Sequence, residues 1–167
     1  MYEHAKEYGI VYHDGPPYEV LKTNWLSFDE VLKIKQVEEM LEVYYNSGQF
    51  EITMKVLEKL FDSAFDMFRQ LGEYYEQKGY FGMNHSRIRR CEILLEFVKA
   101  YESTREYVHI IEQALIYDLY YRENCKSRPS WACDLAEFKH MTHYYCKNGK
   151  LSHVEPFLYD FPGKDVK

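Results

Sequence analysis

Asp118 and Arg122 stand four residues apart in a run of strong helix formers. At about 100° per residue, both fall on the face that also carries Val108, Ile111 and Leu115. The acid precedes the base, which is the favourable order for an i,i+4 pair. An ion pair on an apolar stripe has two readings. It is a structural bridge to a neighbouring helix or to the turn at Arg128-Pro129-Ser130-Trp131, or it is a polar pair open to a cavity or a second domain. Burying either charge without a partner costs several kcal/mol, so the two should stand or fall together.

Cys133, His140, His143 and Cys146 are metal-ligand residue types. Steps of three along one helix swing side chains across an arc of about 120°, so these do not readily converge on one ion. Their spacing matches no common zinc module, and no metal site is expected. The four cysteines contain no C-x-x-C pair and are expected as free thiols. A glycine-rich phosphate loop, a G-x-S-x-G elbow and an H-E-x-x-H helix are all missing from the sequence.

The charge balance narrows the partners. A formal net charge of −6, with no basic tail or stripe, argues against a nucleic-acid surface. The dense cluster of Arg87, Arg89 and Arg90 reads as a solvated first turn of a helix. No window approaches the roughly 18 unbroken apolar residues of a membrane span, and the N-terminal residues lack the apolar core of a secretion signal. A cytoplasmic protein is expected, with no membrane contact. The 167 residues suit one domain, or one with a short appendage.

The elements that must position these residues are mostly helices. Gly9 reads as a cap on a helix end at 2–8. Residues 10–12 and the Tyr-Glu-Val-Leu run at 18–21 read as extended, separated by an Asp-Gly-Pro-Pro turn. Ser27 and Glu30 have capping-box spacing and open the first long helix, with Ile34, Val37, Leu41 and Tyr44 as its stripe. A second helix is expected over about 50–61. A third runs over 64–78 from a cap at Asp62 or Ser63, where Gly72 signals close packing. The fourth starts near Asn84 or Ser86, the fifth spans 105–124 from a Thr104 cap, and the sixth spans 134–147. The tail His-Val-Glu-Pro-Phe-Leu-Tyr-Asp-Phe alternates weakly and reads as strand-like, a candidate partner for residues 10–12. The expected fold is mainly α: a bundle of about six helices with an extended N-terminal leader and a short C-terminal tail. Its expected divisions are 1–26, 27–150 and 151–167.

Three stretches add a resemblance. "YGIVYHDGPPYEVLKTNWLSFDE", "FDSAFDMFRQLGEYYEQKGY" and "ALIYDLYYRENCKSRPSW" resemble the C-terminal helical domain of large bacterial radical S-adenosylmethionine proteins that also bind cobalamin and are often described as iron-sulfur oxidoreductases. The likeness covers most of residues 2–160. Such proteins place a cobalamin-binding domain first, a radical barrel next and an uncharacterised helical domain last. The resemblance implies a non-catalytic accessory domain whose partner is the preceding barrel of the same polypeptide, with residues 1–26 as the connector. It implies a [4Fe–4S] cluster, S-adenosylmethionine and cobalamin in the parent, and no cofactor in this chain. The family's CxxxCxxC motif is missing, because the cysteines here are 34, 8 and 13 positions apart. Tyr18, Trp25, Asp118, Arg122 and Trp131 are the residues expected at a domain contact or cavity wall. The alternative is a standalone helical module that binds a peptide or protein in a tyrosine-lined groove.

Overall fold

The computed structural model describes residues 4–122, 128–132, 134–140 and 155–161. The described chain is mainly helical, with six α-helices and one two-stranded sheet. It divides into two compact units. One comprises Met1–Ser47 with Phe61–Met83, and the other Gly48–Leu60 with Asn84–Lys167.

The first unit opens with a small antiparallel ribbon of β1 (Val11–Tyr12) and β2 (Val20–Lys22). Val11 pairs with Lys22 and Tyr12 with Val20, with an irregularity between. The Asp-Gly-Pro-Pro turn closes it: the Tyr18 N–H donates to the Gly15 carbonyl at 2.8 Å, and the His13 N–H to that of Glu19 at 2.8 Å. The extended reading of 10–12 and 18–21 therefore holds, and among the described residues β1 pairs with β2. Gly9 turns with φ +58° just before the ribbon. A Cβ there would sit 2.0 Å from Oδ1 of Asn24, so only glycine fits this turn.

Helix α1 (Phe28–Met40) begins where the capping box put it. Ser27 Oγ accepts from the Glu30 N–H at 3.3 Å, and the Glu30 carboxylate accepts from the Ser27 N–H at 2.8 Å. The helix runs on into a π-helical segment, Leu41–Asn46, that the sequence did not announce. There Tyr44 is turned inward while Tyr45 faces solvent. Ile34 lies outside the core stripe and is exposed; Met40 is fully buried instead. Helix α3 (Ala64–Lys78) is capped by Ser63 and closed by Gly79 in the left-handed conformation. It packs on α1, where a Cβ on Gly72 would lie 3.4 Å from Cβ of Gln36. The unit's interior holds Met40, Tyr44, Met67, Phe68, Leu71 and Tyr75. Two buried phenols satisfy each other there, with Tyr44 and Tyr75 hydroxyls 2.5 Å apart.

The second unit contains α2 (Glu51–Leu57), α4 (Arg87–Ala100), the short α5 (Glu102–Arg105) and α6 (Val108–Arg122). Ser86 caps α4, accepting from the Arg89 N–H. Thr104 does not cap a long fifth helix. It is buried inside α5, and its hydroxyl donates to the carbonyl of Val98 at 2.8 Å, pinning the corner between α4 and α6. The core runs through Cys91, Leu94, Leu95 and Val98 of α4 and Ile111, Leu115 and Leu119 of α6.

Of the expected sixth helix, the described part contains a 3₁₀ turn at Ala136–Phe138; residues 141–147 lie outside the described residues. Residues 155–161 are described and irregular, with no strand.

Candidate functional site

The five candidates divide between the two units, and they are built in different ways. Tyr18 and Trp25 belong to the leader of the first unit. Tyr18 follows the proline pair at φ 42°, a left-handed conformation that costs a bulky residue energy. It stands 56% exposed. Trp25 is 71% exposed and leans on Tyr8, ring centroids 5.7 Å apart at 39°. The backbone behind it is firmly tied. The Asn24 N–H donates to the Tyr8 carbonyl, the Asn24 side-chain amide to the Glu7 carbonyl, and Thr23 Oγ1 accepts from the N–H groups of Trp25 and Leu26. Both aromatic rings are thus held outward by a backbone that satisfies its own hydrogen bonds.

Asp118, in the second unit, is buried on α6 at 6% exposure. Its carboxylate accepts from the Ile52 N–H at 3.0 Å, the Thr53 N–H at 2.8 Å and the Thr53 hydroxyl at 2.7 Å. These N–H groups belong to the first turn of α2, which has no capping side chain of its own. A carboxylate 65 residues away therefore caps α2, where the helix dipole also favours negative charge. Arg87 completes the junction. Its guanidinium donates to the carbonyl of Asp118 at 2.6 Å and to that of Gln49 at 3.2 Å. Burial nonetheless pushes the Asp118 carboxyl above its ordinary value, opposed by the bonds from Thr53 and Ile52 and by the Arg87 charge.

The side chain of Arg122 lies outside the described residues, and the expected Asp118–Arg122 pair lies outside them with it. Trp131 is half-buried, and its indole N–H meets no acceptor among the described residues. No hydrogen bond from that indole reaches Asp118.

A profile of protein domains matches residues 6–165, nearly the whole chain. The chain belongs to the DUF4080 family. That family's description is a protein of unknown function. No curated protein and no solved structure matches the chain significantly.

The DUF4080 chain also shows residues that sequence reasoning passed over. Arg87 stands with Arg89 and Arg90 in a charged run whose sequence predicts a solvated turn. In fact Arg87 turns inward to two carbonyls, and Arg89 bridges to Glu92 and Glu96 on its own helix. Thr53 and Gln113 are buried polar residues with assigned partners, Asp118 and the tail. Of the Cys/His set, Cys133, His143 and Cys146 lie outside the described residues. Among the described residues no group of three or more His, Cys, Asp or Glu side chains is placed to hold a metal ion. None of the described helices is long and apolar enough to cross a membrane.

Proposed function

We propose that this DUF4080 chain is the C-terminal accessory domain of a bacterial, cytoplasmic, cobalamin-binding radical S-adenosylmethionine protein. Its role is to cover one end of the preceding barrel, shape the substrate cavity and exclude water from the radical. Radical intermediates need that exclusion to avoid side reactions. The observation that carries the reading is the leader. Its sequence has the family resemblance, and its aromatic side chains, Tyr18 and Trp25, are held outward on a tied backbone. Large rigid aromatics of this kind are the usual anchors of protein contacts.

The residues of this chain do not fit the parent's cluster. A [4Fe–4S] cluster takes thiolates at close, regular spacing. Cys91 is buried, and burial pushes its thiol up to about 12. No CxxxCxxC motif stands anywhere in the sequence. The domain's contribution is therefore steric and positional, and catalysis belongs to the parent.

The coding frame upstream of Met1 tests the reading. Continuation into a CxxxCxxC motif is the expected result; a stop codon immediately upstream overturns it. In the full-length protein, replacing Tyr18 and Trp25 together by alanine should loosen the domain from the barrel. Limited proteolysis then separates the two where it leaves the parent intact.

A further inference from the structure

Helix α6 has two apolar faces. Ile111, Leu115 and Asp118 face the interior shared with α2 and α4. On the adjoining flank, about 100° round the helix, Ile110, Gln113, Ala114 and Tyr117 recur at three- and four-residue steps, with Gln113 and Ala114 buried and Ile110 and Tyr117 half-buried. Residues 155–161, Glu-Pro-Phe-Leu-Tyr-Asp-Phe, cover that second face.

The way they cover it is unlike the rest of the fold. No strand or helix forms over 155–161. Phe161 is buried with Ile52 of α2 and Ala114 of α6, and Phe157 packs on the same cluster with Val56, Ile110 and Tyr117. Both phenylalanines meet the Tyr117 ring, at 5.6 Å and 5.9 Å between centroids. Between them the Leu158 N–H donates to Oε1 of buried Gln113 at 2.8 Å. At the leading end Glu155 pairs with Arg128. The Leu158 side chain points away from the groove and is 75% exposed. Two aromatic anchors four residues apart, one side-chain amide reading the peptide backbone, and one cation for a carboxylate form the pattern of a peptide-recognition groove.

We propose that the α2–α6 face is such a groove, and that residues 155–161 are its intramolecular occupant. The partner it fits is a peptide that bends as residues 155–161 do, bringing together the rings of phenylalanines at the second and sixth positions after a carboxylate residue; here those rings are 5.9 Å apart. Such a segment from another chain would compete with residues 155–161 for Tyr117, Gln113 and Arg128. This inference does not rest on the barrel-capping reading.

The test uses the full chain and a fluorescent peptide with the sequence of residues 155–161, followed by anisotropy. The variant Phe157→Ala/Phe161→Ala weakens the internal occupant. It should bind the peptide about tenfold or more tighter than the unaltered chain does, and adding Gln113→Ala should reverse that gain. A peptide with both phenylalanines replaced by alanine should not bind. A folded double variant that fails to bind the peptide overturns the proposal. Hydrogen exchange on the unaltered chain gives an independent reading should the variant not fold. The Leu158 amide should exchange by local opening at least about tenfold faster than the amides of Ile111 and Leu115. Equal exchange at all three would make the segment a fixed part of the core and overturn the proposal.

Discussion

Two segments of this protein lack helix and carry aromatic residues, yet they use them in opposite ways. The leader, in the first unit, turns Tyr18 and Trp25 outward. The segment 155–161, in the second unit, turns Phe157 and Phe161 inward. Backbone hydrogen bonding accounts for the difference. In the leader a ribbon, an Asn24 clasp and a Thr23 turn satisfy the main chain locally, so the side chains are not needed to hold it. In 155–161 the Leu158 N–H goes to a side chain of α6, and the two rings supply the hold. An aromatic segment without helix is thus a presenting surface when its backbone is self-sufficient and a bound one when it is not.

Substitutions can break this contrast, and the largest effect should come from the frame beneath the bound segment. Asp118→Ala leaves two buried N–H groups and the Thr53 hydroxyl without their acceptor. It should cost roughly 3 kcal/mol or more by denaturant unfolding, since each orphaned buried group costs about 1–3 kcal/mol. Asp118→Asn, which keeps an acceptor, should cost less.

Phe161→Ala comes next. It should cost roughly 2–4 kcal/mol as a buried ring is removed beside Ile52 and Ala114. Trp25→Ala, the matched change in the leader, should stay within about 0.5 kcal/mol because its ring is mostly in water. Equal losses at Phe161 and Trp25 would erase the distinction between the two segments.

Ser27→Ala should fall between them, at about 1 kcal/mol, because it removes the cap where the leader enters α1.

The pH dependence adds a finer test. The folded Asp118 carboxyl is raised above the ordinary value of 3.8 by burial. The folded state therefore holds that proton more tightly than the unfolded chain does. This contribution to stability is fully present below 3.8 and is lost as pH rises through the folded value. The unfolding free energy of Asp118→Asn relative to the unaltered chain should accordingly improve as pH rises across that window. A constant difference would mean that the hydrogen bonds from Thr53 and Ile52 fully offset the burial.

Local chemistry was legible in the residues. Ser27 with Glu30, Ser63, Ser86 and Gly79 mark helix ends through bonds that span three or four positions, and each stands where its spacing put it. Gly72 signalled a close approach, and Gln36 of α1 supplies it. The family resemblance likewise rests on residues that can be read in order.

The partners across the fold were a different matter. Asp118 stands in the sequence as a polar group on an apolar stripe, and local spacing points only to Arg122, four positions on. The α2 N-terminus lies 65 and 66 residues away, and nothing in local spacing points to it. Arg87 looked solvated because its neighbours are charged, whereas its direction is decided by carbonyls on two other segments. The second stripe on α6 stands in the sequence as Ile110, Ala114 and Tyr117, but an irregular tail has no period to match it. Helix caps, turns and stripes follow from contacts within one or two turns of chain, so the sequence alone determined them. Which buried donor meets which carboxylate, and which face the tail covers, depended on how the helices pack. Only the tertiary structure decided those, because desolvation forces each buried polar group to take whatever partner the packing brings within reach.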